Sequence, residues 1–204
     1  MATLLRIDAN TLPRTLTLDP PVTDAEFEAL CRENGGNIRL ERTKEGVVRM
    51  NPPTGGFTGS GNQEISRQLG NWWAVHGRGR VFDSSTGFRL PDGSILSPDA
   101  SYVSDERLRT LPKGALRGFP QVCPDFVIEL VSESDPLRDL QAKMNDWIAN
   151  GARLAWLIDP YERQVLIYRS GRAAEMAADD RIAGEGRVEG FILDLTRVWG
   201  CYQD

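Results

Sequence analysis

Two acids and a lysine carry the chemistry open to this sequence. Glu129 lies between Ile128 and Leu130 in the apolar run FVIELV. A carboxylate in such a run is costly to bury without a cation or hydrogen-bond donors. Asp99 stands at the start of a second run, in LSPDASYVS, and Lys143 lies on the helix expected after Glu129. Two carboxylates with a nearby lysine can hold a divalent metal and a water. That is hydrolytic chemistry, suited best to phosphodiesters. Glu64, in the first turn of an earlier helix, is a fourth candidate.

Each residue also has a plainer reading. Glu129 could be a rim acid paired with an arginine. Asp99, in Ser-Pro-Asp, could be a turn former. Asp139 and Lys143 stand at i,i+4, and an exposed pair of that kind is worth about 0.3–0.5 kcal/mol. Glu64 favours the helix dipole where it sits.

The elements that must position these residues are readable from periodicity. Phe126–Val131 reads as a strand. Leu137–Asn150 reads as a helix with Leu140, Met144, Trp147 and Ile148 on one face, stopped by Gly151. Leu154–Ile158 and Gln164–Tyr168 are further strands. Upstream, Leu96–Val103 is a strand interrupted at Pro98. Arg80–Asp83 and Gly87–Leu90 are short strands, the second ending in the turn Pro91-Asp92-Gly93. Thr23 followed by Glu26 predicts a capping box opening a helix, which Gly35-Gly36 ends. Ile38–Glu41 and Val47–Asn51 form a hairpin around Lys44-Glu45-Gly46.

Asn62 to His76 is a helix with Ile65, Leu69, Trp72 and Trp73 on its apolar face. The preceding NPPTGGFTGSG is expected to be a loop, and it lacks the Lys-Ser/Thr of a phosphate-binding loop. Asp105–Leu111 contains a helical turn, and Arg117–Cys123 is a loop. Gly171–Gly186 is a loop or irregular excursion, Val188–Leu193 is a last strand, and Trp199 pins the C-terminus. Trp147 and Trp156 belong to the core with Trp72 and Trp73. His76 is a dipole partner at a helix end, and Ser132 and Ser134 are loop caps.

The 204 residues suit an N-terminal arm over 1–22 and a single domain over 23–204. The net charge is −5, which argues against binding nucleic acid by phosphate neutralisation alone. It argues less against a metal-dependent site, where bound cations reverse the local field. Lysine occurs only at Lys44, Lys113 and Lys143; the other basic residues are arginine. No run of about 18 apolar residues predicts a membrane span. The N-terminus lacks the apolar core of a secretory signal. Cys31, Cys123 and Cys201 form no CxxC pattern and read as reduced thiols of a cytoplasmic protein.

The block from Pro124 to Pro160, with Pro98-Asp99, Glu129-Leu130-Val131-Ser132, Asp139, Lys143, Gly151, Trp156 and Asp159-Pro160, resembles the Uma2 family of endonucleases, which has the PD-(D/E)xK fold. Gly190-Phe191 also fits, and the resemblance spans roughly residues 23–200. It implies an α/β fold, a mixed β-sheet core flanked by helices. It implies a Mg²⁺-dependent endodeoxyribonuclease, with Mn²⁺ as a substitute and DNA as partner, often acting as a dimer. Asp99, Glu129 and the Leu130 carbonyl would ligate the metal. The lysine usual two residues after the glutamate is Val131 here, and Lys143 replaces it from the next helix. Glu64 would match an acid on an early helix. Related chains often carry histidine where this one has Gly61-Asn62. The alternative is a nuclease-like fold that binds a partner without cutting.

Overall fold

The computed structural model describes residues 15–34, 38–133 and 135–203. Residues 1–14 of the expected arm, the Gly35-Gly36 helix stop and the Ser134 cap lie outside these residues. Contacts divide the chain into two compact units, Met1–Pro53 and Thr54–Asp204.

In the first unit, β1 (Thr15–Leu16) precedes α1 (Asp24–Asn34), β2 (Arg39–Arg42) and β3 (Val48–Asn51). The capping box forms as expected. The Glu26 carboxylate accepts from the Thr23 amide at 2.8 Å, and the Glu26 amide donates to the Thr23 hydroxyl at 3.3 Å. Two orphan amides are thereby satisfied. Phe27, on the buried face of α1, lies under the Arg42 guanidinium, 5.5 Å from the ring centroid. β2 and β3 pair antiparallel, and β1 joins β3. Gly46 turns the hairpin at φ 82°, and a Cβ there would stand 2.8 Å from Pro21.

The second unit begins with α2 (Gly56–His76), β4 (Arg80–Asp83), β5 (Phe88–Arg89), β6 (Ile95–Leu96), β7 (Ala100–Val103) and α3 (Asp105–Leu108). It continues with β8 (Phe126–Leu130), α4 (Leu137–Ala149), β9 (Leu154–Asp159) and β10 (Gln164–Arg169). β11 (Glu175–Met176), β12 (Arg181–Ala183), β13 (Ile192–Asp194) and α5 (Leu195–Gly200) complete it. Its main sheet has the order β11-β10-β9-β8-β7-β4. Only β8 and β9 are parallel, joined through α4, and the other pairs are antiparallel. A parallel pair needs such a crossover. The expected mixed sheet with flanking helices is therefore present.

Alternation along β8 sorts its side chains to two faces. Phe126, Ile128 and Leu130 join Ile65 and Leu69 of α2 in one core. Val127 and Val131 join Met144 and Trp147 of α4 in the other. Trp147 and Trp156 are fully buried, and Trp72 and Trp73 partly so.

Three expectations need correction. The glycine-rich stretch before Asn62 is helical from Gly56, not a loop. Each interior glycine costs about 1 kcal/mol against alanine, but burial of Thr58, Gly61, Ile65 and Leu69 offsets that. Gly61 is closely packed: a Cβ there would lie 2.9 Å from the Leu130 side chain and 3.1 Å from the Tyr202 hydroxyl, so one of these side chains would have to shift. Second, the Gly171–Gly186 excursion contains β11 and β12. Third, the last strand is shorter than expected, because Gly190 turns at φ 83° before it, and it leads into α5. The Asp194 carboxylate caps α5 by accepting from the Thr196 amide at 3.1 Å. Trp199 does anchor this end, donating to Asp180 at 3.0 Å.

Candidate active site

Pro98 breaks the expected long strand into β6 and β7, and the break leaves Ser97-Pro98-Asp99 beside the C-terminal end of β8. The Asp99 amide donates to the Ile128 carbonyl at 3.0 Å. The Asp99 carboxylate accepts from the Leu130 amide at 2.8 Å. Asp99 thus holds the backbone on both sides of Glu129.

Glu129 points towards α4. There Lys143 and Trp147, one turn apart, stand over it. The Lys143 ammonium lies 2.9 Å from Glu129 Oε1, and the Trp147 indole donates to the same oxygen at 2.8 Å. Lys143 also donates to the Ser97 carbonyl at 2.8 Å. The ammonium therefore ties β8 to the turn that carries Asp99. Glu129, Lys143 and Asp99 are each less than a tenth exposed. At such depth an unpaired charge would cost several kcal/mol, so the pair must be kept intact. Val131, at the usual lysine position, is buried against α4. The positive charge reaches Glu129 from α4 instead.

Asn62 is the residue of α2 that reaches this group. Its amide nitrogen donates to Asp99 Oδ1 at 3.3 Å, and its buried Oδ1 has no hydrogen-bond partner. Sequence reasoning noted Asn62 only as a place where histidine is usual. It opens the expected helix, and nothing in its type or spacing sets it apart from an ordinary polar first-turn residue. Tyr202 lies on the same side. Burial pushes its hydroxyl pKa up, and the charge of Asp99 adds to the shift.

Glu64 lies two residues further along α2 but has other partners. Arg67 grips its carboxylate through two hydrogen bonds, and Gln68 donates to it at 3.0 Å. The Arg67 bond holds the Glu64 carboxyl below the ordinary glutamate range. Gln68 in turn exchanges hydrogen bonds with the backbone of Asp194. The structure thus brings Asp99, Glu129 and Lys143 together, while the contacts of Glu64 run towards Asp194. His76 ends α2 as expected and stacks on Trp72. Ser132 bonds Asp135 in the loop after β8. The three cysteines are free.

Among the described residues, no three His, Cys, Asp or Glu side chains converge. Carboxylate and amide oxygens, such as those of Asp99 and the neighbouring Asn62, are the donors that a hard, oxygen-seeking cation takes. Zinc sites, by contrast, are built mainly on cysteine and histidine. No helix of the described residues is long and apolar enough to cross a membrane.

The fold is similar to that of a solved structure. A crystal structure described as a "putative nuclease belonging to DUF820" from Anabaena variabilis superposes with a TM-score of 0.67. It is 18% identical, and the match covers 80% of this chain and 91% of that one. The DrdV–DNA complex, known from electron cryomicroscopy, matches at a TM-score of 0.36 and 16% identity, over 55% of this chain and 9% of that one. The first likeness shows the restriction-endonuclease-like fold; the second is too low to add to it. No functionally curated protein matches. The Uma2 family, described as "Putative restriction endonuclease", matches residues 24–196. On that span the chain belongs to the Uma2 family.

Proposed function

We propose that this protein is a metal-dependent endonuclease that hydrolyses phosphodiester bonds in DNA. The observation that carries the reading is the buried Lys143 ammonium, held between Glu129 and the Ser97 carbonyl beside Asp99. Such a triplet is costly to bury for stability alone, since an apolar trio of similar volume would serve as well or better.

In this reading Asp99, Glu129 and the Leu130 carbonyl hold Mg²⁺, for which Mn²⁺ can substitute. The ion, when bound, lowers the pKa of water and neutralises phosphate charge. The other tasks fall to the chain itself. The Leu130 amide and Asn62 fix the Asp99 carboxylate. Trp147 and Lys143 fix Glu129 in one rotamer. Lys143 orients the attacking water and stabilises the charge that builds on the phosphate oxygens. Glu64 acts at most at a distance, through its place on α2.

The test is cleavage of DNA with Mg²⁺ or Mn²⁺, compared with Asp99→Ala, Glu129→Ala and Lys143→Ala. Undiminished cleavage by the folded triple variant would sink the reading. The second reading is a nuclease-like fold that binds without cutting. It is favoured by the closed state of the network, in which Asp99 and Glu129 already have protein donors. Calorimetry separates the two: no heat of binding with millimolar Mg²⁺ or Mn²⁺ and a folded chain would favour the second.

A further inference from the structure

Among the described phenylalanine, tyrosine and tryptophan side chains, two are exposed: Phe57 at 47% and Tyr161 at 46%. They come from distant segments, the first turn of α2 and the turn after β9, yet both rest on one ring. The Tyr202 ring centroid is 6.0 Å from that of Phe57 and 5.5 Å from that of Tyr161. Tyr202 is partly buried, and its ring and hydroxyl crowd the side-chain position of Gly61 together with the Leu130 side chain.

The location is not arbitrary. β8 and β9 run parallel, with Leu130 opposite Ile158, so their C-terminal ends open at one edge of the sheet. Ligands of α/β sheets gather at that edge. Glu129 and Leu130 end β8 there, and Tyr161 follows the end of β9. Gly61 and Asn62 bring α2 to the same edge, where Asn62 meets Asp99. The exposed rings therefore flank the candidate active site.

We propose that Phe57, Tyr161 and Tyr202 form a stacking platform for an unpaired nucleobase next to the scissile phosphate. The proposal rests on the nuclease reading and deepens it: the substrate is single-stranded, or is locally unpaired when it binds. Aromatic faces bind bases by stacking, whatever the sequence, and a duplex offers no free base face. The platform supplies affinity without positive charge. That fits a chain of net charge −5, in which phosphate neutralisation alone is a weak source of binding. Phe57 and Tyr161 are half-exposed, and the rings gain little for the fold by standing in water. The two phenols keep polar edges that tolerate solvent when no base is present.

The test uses the whole chain and a fluorescently labelled oligodeoxyadenylate, with Ca²⁺ in place of Mg²⁺ because it takes the same oxygen donors. Anisotropy should show the single strand bound more tightly than the duplex. Phe57→Ala with Tyr161→Ala should weaken single-strand binding by about tenfold or more, at unchanged circular dichroism. Phe57→Trp should restore or exceed the original affinity. An oligonucleotide abasic at its central positions should bind the wild type as weakly as the intact one binds the double variant, with no further loss in combination.

Equal binding of intact and abasic strands by the wild type would overturn the platform. If Mg²⁺-dependent cleavage persisted, the nuclease reading would survive that result. A wild type that neither bound nor cut any nucleic acid would remove both. A double variant that altered sedimentation but not binding would identify the rings as a self-association surface and overturn the proposal.

Discussion

Asp125 and Glu129 stand at opposite ends of β8, and both are almost fully buried. The cations that meet them differ. Asp125 faces two guanidinium groups, Arg107 at 3.2 Å and Arg153 at 3.6 Å, and accepts from the Ser104 amide at 2.8 Å. Arg107 goes further, donating to the carbonyls of Cys123, Pro124 and Gly151. A planar fork spread over an acid and three carbonyls is a clamp. Glu129 faces a single ammonium and an indole. A lysine ammonium is a compact point charge on a flexible stem, able to serve a reacting group. The same sheet strand thus has a fastened end and an end to which the proposed function assigns the chemistry. Burial of an acid does not distinguish them; the identity of the cation does.

The sharpest way to break this comparison is at the fastened end. Arg107→Ala leaves Asp125 short of a partner and three carbonyls without their donor. We expect a loss of about 3–5 kcal/mol in urea unfolding, with cleavage per folded molecule unchanged. Loss of cleavage at full folding would erase the distinction. At the other end, Glu129→Gln keeps the shape but removes the charge. DNA cleavage per folded molecule should fall by about 10²–10³-fold, the scale of a lost transition-state contact, and the Lys143 ammonium left without its counter-charge should lower the urea midpoint as well.

Smaller effects sharpen the chemical end. Asn62→Ala removes the hydrogen bond to Asp99, worth about 0.5–1.5 kcal/mol. Mn²⁺ affinity by calorimetry and the cleavage rate should drop together by up to about tenfold. Glu64→Gln should matter least for cleavage. The folded Glu64 carboxyl lies below its ordinary range because Arg67 bonds its charged form. Its stabilising contribution is therefore complete above the unfolded glutamate range and is lost as pH falls through the lower, folded value. Urea midpoints of the wild type and Glu64→Gln should differ near neutral pH and converge in acid.

The strand–helix–strand β8–α4–β9 is legible because its apolar positions repeat at the periods of a strand and of a helix. Glu129 is legible because an acid interrupts the run, and Lys143 because lysine is scarce. Asp125, four residues away, escapes notice. Its arginines come from segments with no sequence spacing to it, and Pro124-Asp125 looks like an ordinary strand entry. The role of Ser97 is invisible for a different reason: it acts through a backbone carbonyl, which every residue has. The first turns of α2 are hidden because glycine propensity points to a loop, while the burial that overrides it is set by Leu130 and Tyr202. Glu64 illustrates the converse: it lies on the expected helix, but the surface arginine beside it takes its carboxylate.

One bond described above also makes this edge observable. The Leu130 amide gives its hydrogen to the Asp99 side chain rather than to a neighbouring strand. Whatever pulls on that carboxylate from outside lengthens or shortens this bond, and the amide resonance moves with it. A single backbone signal, at a residue with no side-chain chemistry, then reports in real time when the edge of the sheet is loaded.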